Sequence, residues 1–205
     1  MELKHAIEKR TSIRSFSDEK VPVEDLKELV RRAGLAPSVN NYQPWDFIAI
    51  TNKDTLENLA IIISEKYKDF PFKKSDVTTN VKKQVEWYST FFTGAPALIA
   101  VVLKEYESVL ERGTEISHEE INKMRNYPDI QSTGACIQNL LLSAVDMGYG
   151  GCWLSGPMIA RAEIEEILEI QKPSILLSFV AIGKPSKEFK PKSKEDLGEK
   201  MRIID

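Results

Sequence analysis

Arg10-Thr11-Ser12-Ile13-Arg14 sets two guanidinium groups and a hydroxyl at alternate positions. In an extended backbone, side chains two apart fall on one side, so Arg10, Ser12 and Arg14 would share a face while Ile13 turns away. Guanidinium makes paired hydrogen bonds to phosphate oxygens and stays charged at any relevant pH, and a hydroxyl adds a neutral donor. The pentad also reads as a solvated basic pair favouring the C-terminal end of a preceding helix. These five residues do not choose between the two.

A second candidate is Ala36-Pro37-Ser38-Val39-Asn40-Asn41-Tyr42-Gln43-Pro44-Trp45. Amides and a hydroxyl between two prolines form a stiff polar edge directly ahead of an apolar strand. A flat heterocycle with alternating donors and acceptors needs such an edge. A capped turn whose Trp45 is simply core accounts for the same residues.

Other chemistries find no support. Gly148-Tyr149-Gly150-Gly151 follows a helix and lacks the GxGxxG spacing, and no GxxxxGK[ST] phosphate loop occurs. His5 and His118 have no partner at metal-ligand spacing and read as surface residues. The two cysteines, Cys136 and Cys152, have neither the CxxC spacing of a metal site nor the density of a disulfide scaffold, and are expected to be reduced thiols. No Ser/His/Asp or Cys/His arrangement is present, so catalysis here would depend on a cofactor. With 28 basic and 31 acidic residues, the net charge of -3 offers no positive excess for nucleic acid. The first five residues already read as an amphipathic helix, without the apolar core of a signal peptide. The apolar runs at 95–103 and 175–182 fall well short of the roughly 20 residues needed to span a bilayer. The expectation is a cytoplasmic protein with no nucleic-acid or membrane partner.

Ordinary elements must hold the candidate residues in place. Leu3, Ala6 and Ile7 recur at helical spacing, predicting a helix to about residue 9 with the basic pentad in the loop after it. Leu26, Leu29, Val30 and Ala33 predict a second helix behind Pro22, stopped at Gly34. A strand is predicted at 46–51. Asp54 is expected to cap a helix carrying Leu56, Leu59, Ala60 and Ile63. A longer helix is expected over 76–92, with Val77, Val81, Val85, Tyr88 and Phe92 on one face. After a buried strand at 97–103, residues 105–128 are charged and weakly periodic, with one short helix near 119–124; they read as a mobile cover. Ile130, Gly134, Ile137, Leu140, Leu141, Ala144 and Val145 predict a central buried helix, and Thr133, Gly134 and Ala135 are small enough to let another helix approach. The glycines at 148–151 end it. A short extended piece at 152–154, a break at Ser155-Gly156-Pro157, a helix with Ile164, Ile167 and Leu168, and a strand at 175–183 complete the core. From Lys184 the chain reads as an arm whose Leu197, Met201 and Ile203 need a surface to cover. With no repeats and no linker, one α+β domain over 1–205 is expected.

In this order the segments resemble the nitroreductase family of FMN enzymes over nearly the whole chain. The resemblance rests on 10–16 after the first helix, 36–45 before the first strand, and Gly94-Ala95-Pro96 before the second. It extends through the 129–151 helix and glycine turn to Phe179-Val180-Ala181-Ile182-Gly183-Lys184-Pro185, followed by a basic tail. It implies a central mixed or antiparallel sheet flanked by helices, in an intertwined homodimer with a C-terminal arm and FMN at the interface. Arg10 and Ser12 would then meet the flavin phosphate and Arg14 the pyrimidine edge. Lys192 and Lys194 match a basic pair brought to the same phosphate by the tail; the family usually has Arg where Lys194 stands, so a point charge replaces a fork. Pro37, Ser38, Val39 and Asn41 match the stretch supplied by the second subunit against the isoalloxazine and ribityl chain. Ser155 and Gly156 match a turn whose backbone hydrogen bonds reach the ring, with the glycine allowing close contact.

The implied reaction is ping-pong: NADH or NADPH delivers hydride and leaves, and a small organic acceptor such as a nitroaromatic or quinone uses the same open face. No side chain need act as acid or base; the protein holds the ring and supplies positive charge near the reduced, anionic flavin. Two features depart from the family pattern. The amide that the family often has in its middle helix is not identifiable within 77–92, where Trp87, Tyr88, Phe91 and Phe92 read as core with one or two lining the substrate pocket. The cysteine-rich iron-sulfur segment of some relatives is lacking. Two alternatives stay open: a specialised relative such as a reductive dehalogenase or flavin-fragmenting enzyme, and a non-catalytic flavin-binding protein. A closed lid with substrate-chelating charges would mark the first, and 105–128 shows no matching spacing.

Overall fold

In the computed structural model of the chain, which describes residues 1–73, 76–195 and 198–204, the strand β2 (Ala97–Leu103) is buried at all seven positions. Side chains alternate across a strand, and both of its faces are apolar, so it must lie between two layers. Leu98 and Ala100 enter one core and Ala97, Ile99 and Val101 the other. Beside it lie β1 (Trp45–Ile50) and β4 (Ile175–Gly183), with β3 (Gly150–Leu154) beyond β4. The order is β1-β2-β4-β3 and every pairing is antiparallel. This settles the sheet as antiparallel within an α+β fold. Val101 faces Ser178 while Val102 faces Leu176, so Leu177 is an extra residue that bulges from β4.

On one face, α3 (Lys53–Lys68) contributes Leu56, Leu59, Ile63 and Tyr67, and α7 (Arg161–Ile167) contributes Ile164. Helix α4 (Asp76–Thr90) packs on α3. On the other face, α2 (Val23–Ala33) lays Leu26, Leu29 and Ala33 against Ile137, Leu140 and Ala144 of α6 (Pro128–Asp146). The short α1 (Leu3–Lys9) rests on α6 through Ala6, while Leu3 and Ile7 stay exposed. The 3–9, 97–103 and 175–183 predictions coincide with their elements.

Several expectations change. Asn52, not Asp54, caps α3, because its Oδ1 accepts the Thr55 N–H at 2.9 Å and Asp54 already lies in the first turn. Helix α4 stops at Thr90, and Phe91–Gly94 form a 3-10 turn leading to Pro96. Gly150 and Gly151 belong to β3 rather than to the turn before it. The segment expected to be a mobile cover is packed down, with Tyr106, Ser108 and Ile121 buried and α5 (His118–Met124) started by a Ser117–Glu120 capping box. Gly134 faces the Trp153 ring, while Ala135 packs in the core that α2 shares with α6. In the tail, Met201 and Ile203 are exposed, whereas Leu197 and the side chain of Val77 lie outside the described residues.

Candidate functional site

The outer edge of β3 carries the basic pentad. The Ile13 N–H donates to Gly151 O at 3.1 Å, Ser12 forms a parallel bridge with Gly151, and Phe16 pairs with Pro185. Backbone contact this close requires glycines, since a Cβ on Gly150 would lie 2.5 Å from Ile13 Cγ1 and one on Gly151 2.9 Å from Leu141 Cδ2. Extended along this edge, the segment buries Ile13 and turns Ser12 and Arg14 the other way, toward Cys152.

Cys152 records the arrangement electrostatically. Burial pushes its thiol up, and Arg14, the Ser12 hydroxyl and Arg10 act in the opposite sense, so all three predicted groups bear on one atom. The sequence offered no signal for Cys152, since a lone cysteine in a strand has no spacing to read. Arg14 is itself clamped: its Cζ stands 5.2 Å from the Tyr88 ring centroid and 5.9 Å from that of Phe91. Its buried Nε has no hydrogen-bond partner among the described residues.

Arg14, Cys152, Ser155 and Gly156 line one pocket of about 260 Å³, closed at the back by Tyr67 and Ser89. The 10–14 segment and the 155–156 turn, predicted separately, thus share a site. Of the aromatics in and after α4, Tyr88 and Phe91 line that pocket, Phe92 is core and Trp87 is half exposed. At Gly156 a Cβ would collide with Ser89 Oγ, so packing behind the turn also calls for glycine there.

The 37–41 segment lies elsewhere. Val39 N–H donates to Ser132 Oγ of α6 and the Gln43 N–H to Ser38 Oγ, both at 3.0 Å. Asn40, Asn41 and Gln43 hold positive φ of 50°, 55° and 55°, a conformation that asparagine tolerates and glutamine adopts at some cost. Pro37, Ser38, Val39 and Asn41 do not line the Arg14 pocket. Lys192 and Lys194 are exposed in the extended arm and, among the described residues, make no hydrogen bond or ion pair.

His118, expected at the surface, is half-buried in a polar network. Its Nδ1 lies 3.0 Å from Glu111 Oε1 and its Nε2 2.8 Å from Asn122 Nδ2, which also donates to Asp129 Oδ2 at 3.3 Å. Tyr106, bonded to Asn122 Oδ1, places its ring 5.7 Å from that of Tyr42, joining the 105–129 segment to the 37–43 turn. Both cysteines are free and buried. Among the described residues, no helix is long and apolar enough to cross a membrane.

A four-stranded antiparallel sheet between helical layers, with a basic segment annealed to its edge beside a pocket, defines the class as α+β. The Nitroreductase family model matches residues 7–184, and the chain belongs to that family. The crystal structure of a BluB-like flavoprotein from Clostridium difficile 630 superposes with a TM-score of 0.87 at 33% identity, over the whole of both chains. A nitroreductase with bound FMN from Desulfitobacterium hafniense DCB-2 shares the fold, with a TM-score of 0.75 at 18% identity and complete coverage of both chains. Iodotyrosine deiodinase 1 of Homo sapiens is 27% identical over 185 residues, covering 89% of this chain and 61% of the deiodinase. The chain therefore spans about three fifths of the deiodinase's length.

Proposed function

We propose that residues 1–205 act as one FMN-binding domain of a homodimeric, cytoplasmic oxidoreductase that takes electrons from NADH or NADPH and reduces a nitroaromatic, quinone or similar organic acceptor. The observation that carries this reading is the annealing of residues 12 and 13 to the edge of β3, which sets Arg14 in one pocket with Cys152, Ser155 and Gly156. The residues fit the cofactor. A guanidinium group and a hydroxyl suit a phosphate, and the unpaired Arg14 Nε leaves a buried donor for the ring edge.

Bound FMN would supply two-electron chemistry, which no side chain of the site offers. Arg10 and Ser12 would hold its phosphate, with Lys192 and Lys194 added from the arm. Arg14, fixed on Tyr88 and Phe91, would place permanent positive charge at the pyrimidine edge, and Ser155 and Gly156 would present backbone to the ring. Pro37, Ser38, Val39 and Asn41 would complete the site from the second subunit, in keeping with their position away from the pocket of their own chain. The reductant and the acceptor would use one open face in turn.

Similarity to the deiodinase favours a second reading, reductive dehalogenation at the same site. Against a substrate-chelating lid, Glu111 is engaged by His118 and the Ser108 N–H, and Arg112 by Glu107. Purified protein reconstituted with FMN should be yellow, bleach with NADH or NADPH under anaerobic conditions, and recover its colour with a quinone. A preparation that takes up no FMN contradicts the reading. Bleaching with recovery by a halotyrosine but by no quinone or nitroaromatic would select the dehalogenase instead.

A further inference from the structure

The Ser155–Gly156 turn is held from behind by two buried hydroxyls. Tyr67, near the end of α3, places its hydroxyl 2.9 Å from Ser89 Oγ of α4 and 3.3 Å from the Gly156 carbonyl oxygen. Ser89 Oγ lies 2.9 Å from Val85 O. Two hydroxyl protons therefore serve three contacts. If Ser89 donates to Val85 O and Tyr67 to Ser89, the Gly156 carbonyl keeps only the backbone bond of its own 3-10 turn. If Ser89 donates to Tyr67, Tyr67 donates to Gly156 O, and Val85 O keeps its bond from the Ser89 N–H within the helix. The second arrangement is the one that ties the Gly156 carbonyl to both hydroxyls. It joins α3, α4 and the turn without introducing a charge. Tyr67 and Ser89 are 5% and 1% exposed, so water does not compete for these bonds.

We propose that Tyr67 and Ser89 are positioning residues that fix the Gly156 peptide and thereby set the affinity and reduction potential of a flavin ring bound in the Arg14 pocket. The effect on flavin rests on the function proposed above; the hold on the turn does not. Ser89 sets the depth of the turn by excluding any side chain at 156, and Tyr67 sets its orientation through the carbonyl. Each acts through the Gly156 peptide.

The test compares the FMN-loaded dimer with Tyr67→Phe, which keeps the ring, and Ser89→Ala, which keeps the Cβ. Both variants should retain their melting temperature within a few degrees, bind FMN about fivefold more weakly and shift the flavin midpoint potential in the same direction. A purely structural role would lower the melting temperature and leave the potential of bound flavin in place. Without ligand, amide exchange at Gly156 and at Met158, whose N–H bonds to Ser155 O at 3.0 Å, should be faster in Tyr67→Phe. Unchanged exchange overturns the proposal whether or not flavin binds. Faster exchange with no change in FMN affinity or potential overturns its flavin part. Failure of the wild-type protein to bind FMN instead removes the functional reading, while exchange still decides the positioning role.

Discussion

Gly150 and Ile13 meet so closely that a Cβ on the glycine would fall 2.5 Å from Ile13 Cγ1 and 2.8 Å from its Cβ. The position of the basic segment is therefore set by the absence of a side chain on a neighbouring strand. Gly150→Ala should cost about 1–3 kcal/mol by overpacking and displace the 10–14 segment, raising the FMN dissociation constant. Gly113→Ala, which meets open space, should change neither quantity. Thermal melts and fluorescence titration with FMN would check both; equal effects of the two substitutions would contradict the packing argument.

Arg10→Ala should weaken FMN binding by roughly 10- to 100-fold, as expected for a charge-assisted contact at the phosphate. Lys194→Ala, in an exposed arm and lacking the guanidinium fork, should change it less than about threefold. Matching losses in the two variants would remove the assignment of Arg10 to the centre of the phosphate site.

Burial pushes the Cys136 thiol up to about 12, so at pH 8 it should resist iodoacetamide in the native protein. Cys152 is also raised by burial, but Arg14, Ser12 and Arg10 oppose the shift and it lines the Arg14 pocket. Slow alkylation at Cys152 alone, suppressed by FMN, is the expected result in a mass-spectrometric time course. Labelling of Cys136 at an equal or greater rate would be incompatible with this picture.

Burial alone would raise the Glu111 carboxyl, yet the Ser108 N–H at 2.7 Å and His118 outweigh it and hold the group below its ordinary value. A carboxyl lowered in the folded state contributes stability that is present above its unfolded value and lost as pH falls through the lowered folded value. The exchange protection of the Ser108 amide should accordingly fall on acidification, and Glu111→Gln should flatten that dependence. Protection that is independent of pH in the unaltered protein would exclude the role given to Glu111.

Periodicity made the core legible. Leu26, Leu29 and Ala33 located α2 because their spacing reports one buried face, and the unbroken apolar run at 175–183 located β4 because it is buried on both. The alternation in 10–14 is met by an extended segment that buries Ile13 and sets Arg14 in a pocket. What could not be read depends on contacts between distant residues. Tyr67 and Ser89 lie 22 positions apart on different helices, and no spacing in the sequence sets Ser89 behind Gly156. Asn52 displaced Asp54 as the cap of α3 because two residues decide where the first helical turn begins, and both are good caps.

The bridge between Ser12 and Gly151 has a consequence for solubility as well as for ligand binding. A sheet has two margins, and an open one recruits other chains through its unpaired amides. On β1 that hazard is met by exposed Asp46, paired with Lys104 at 3.4 Å. On β3 it is met by the backbone of residues 12 and 13. A substitution that detaches this segment would uncover a sticky strand as it disturbs the Arg14 pocket, and light scattering would then rise in step with any loss of the proposed FMN binding.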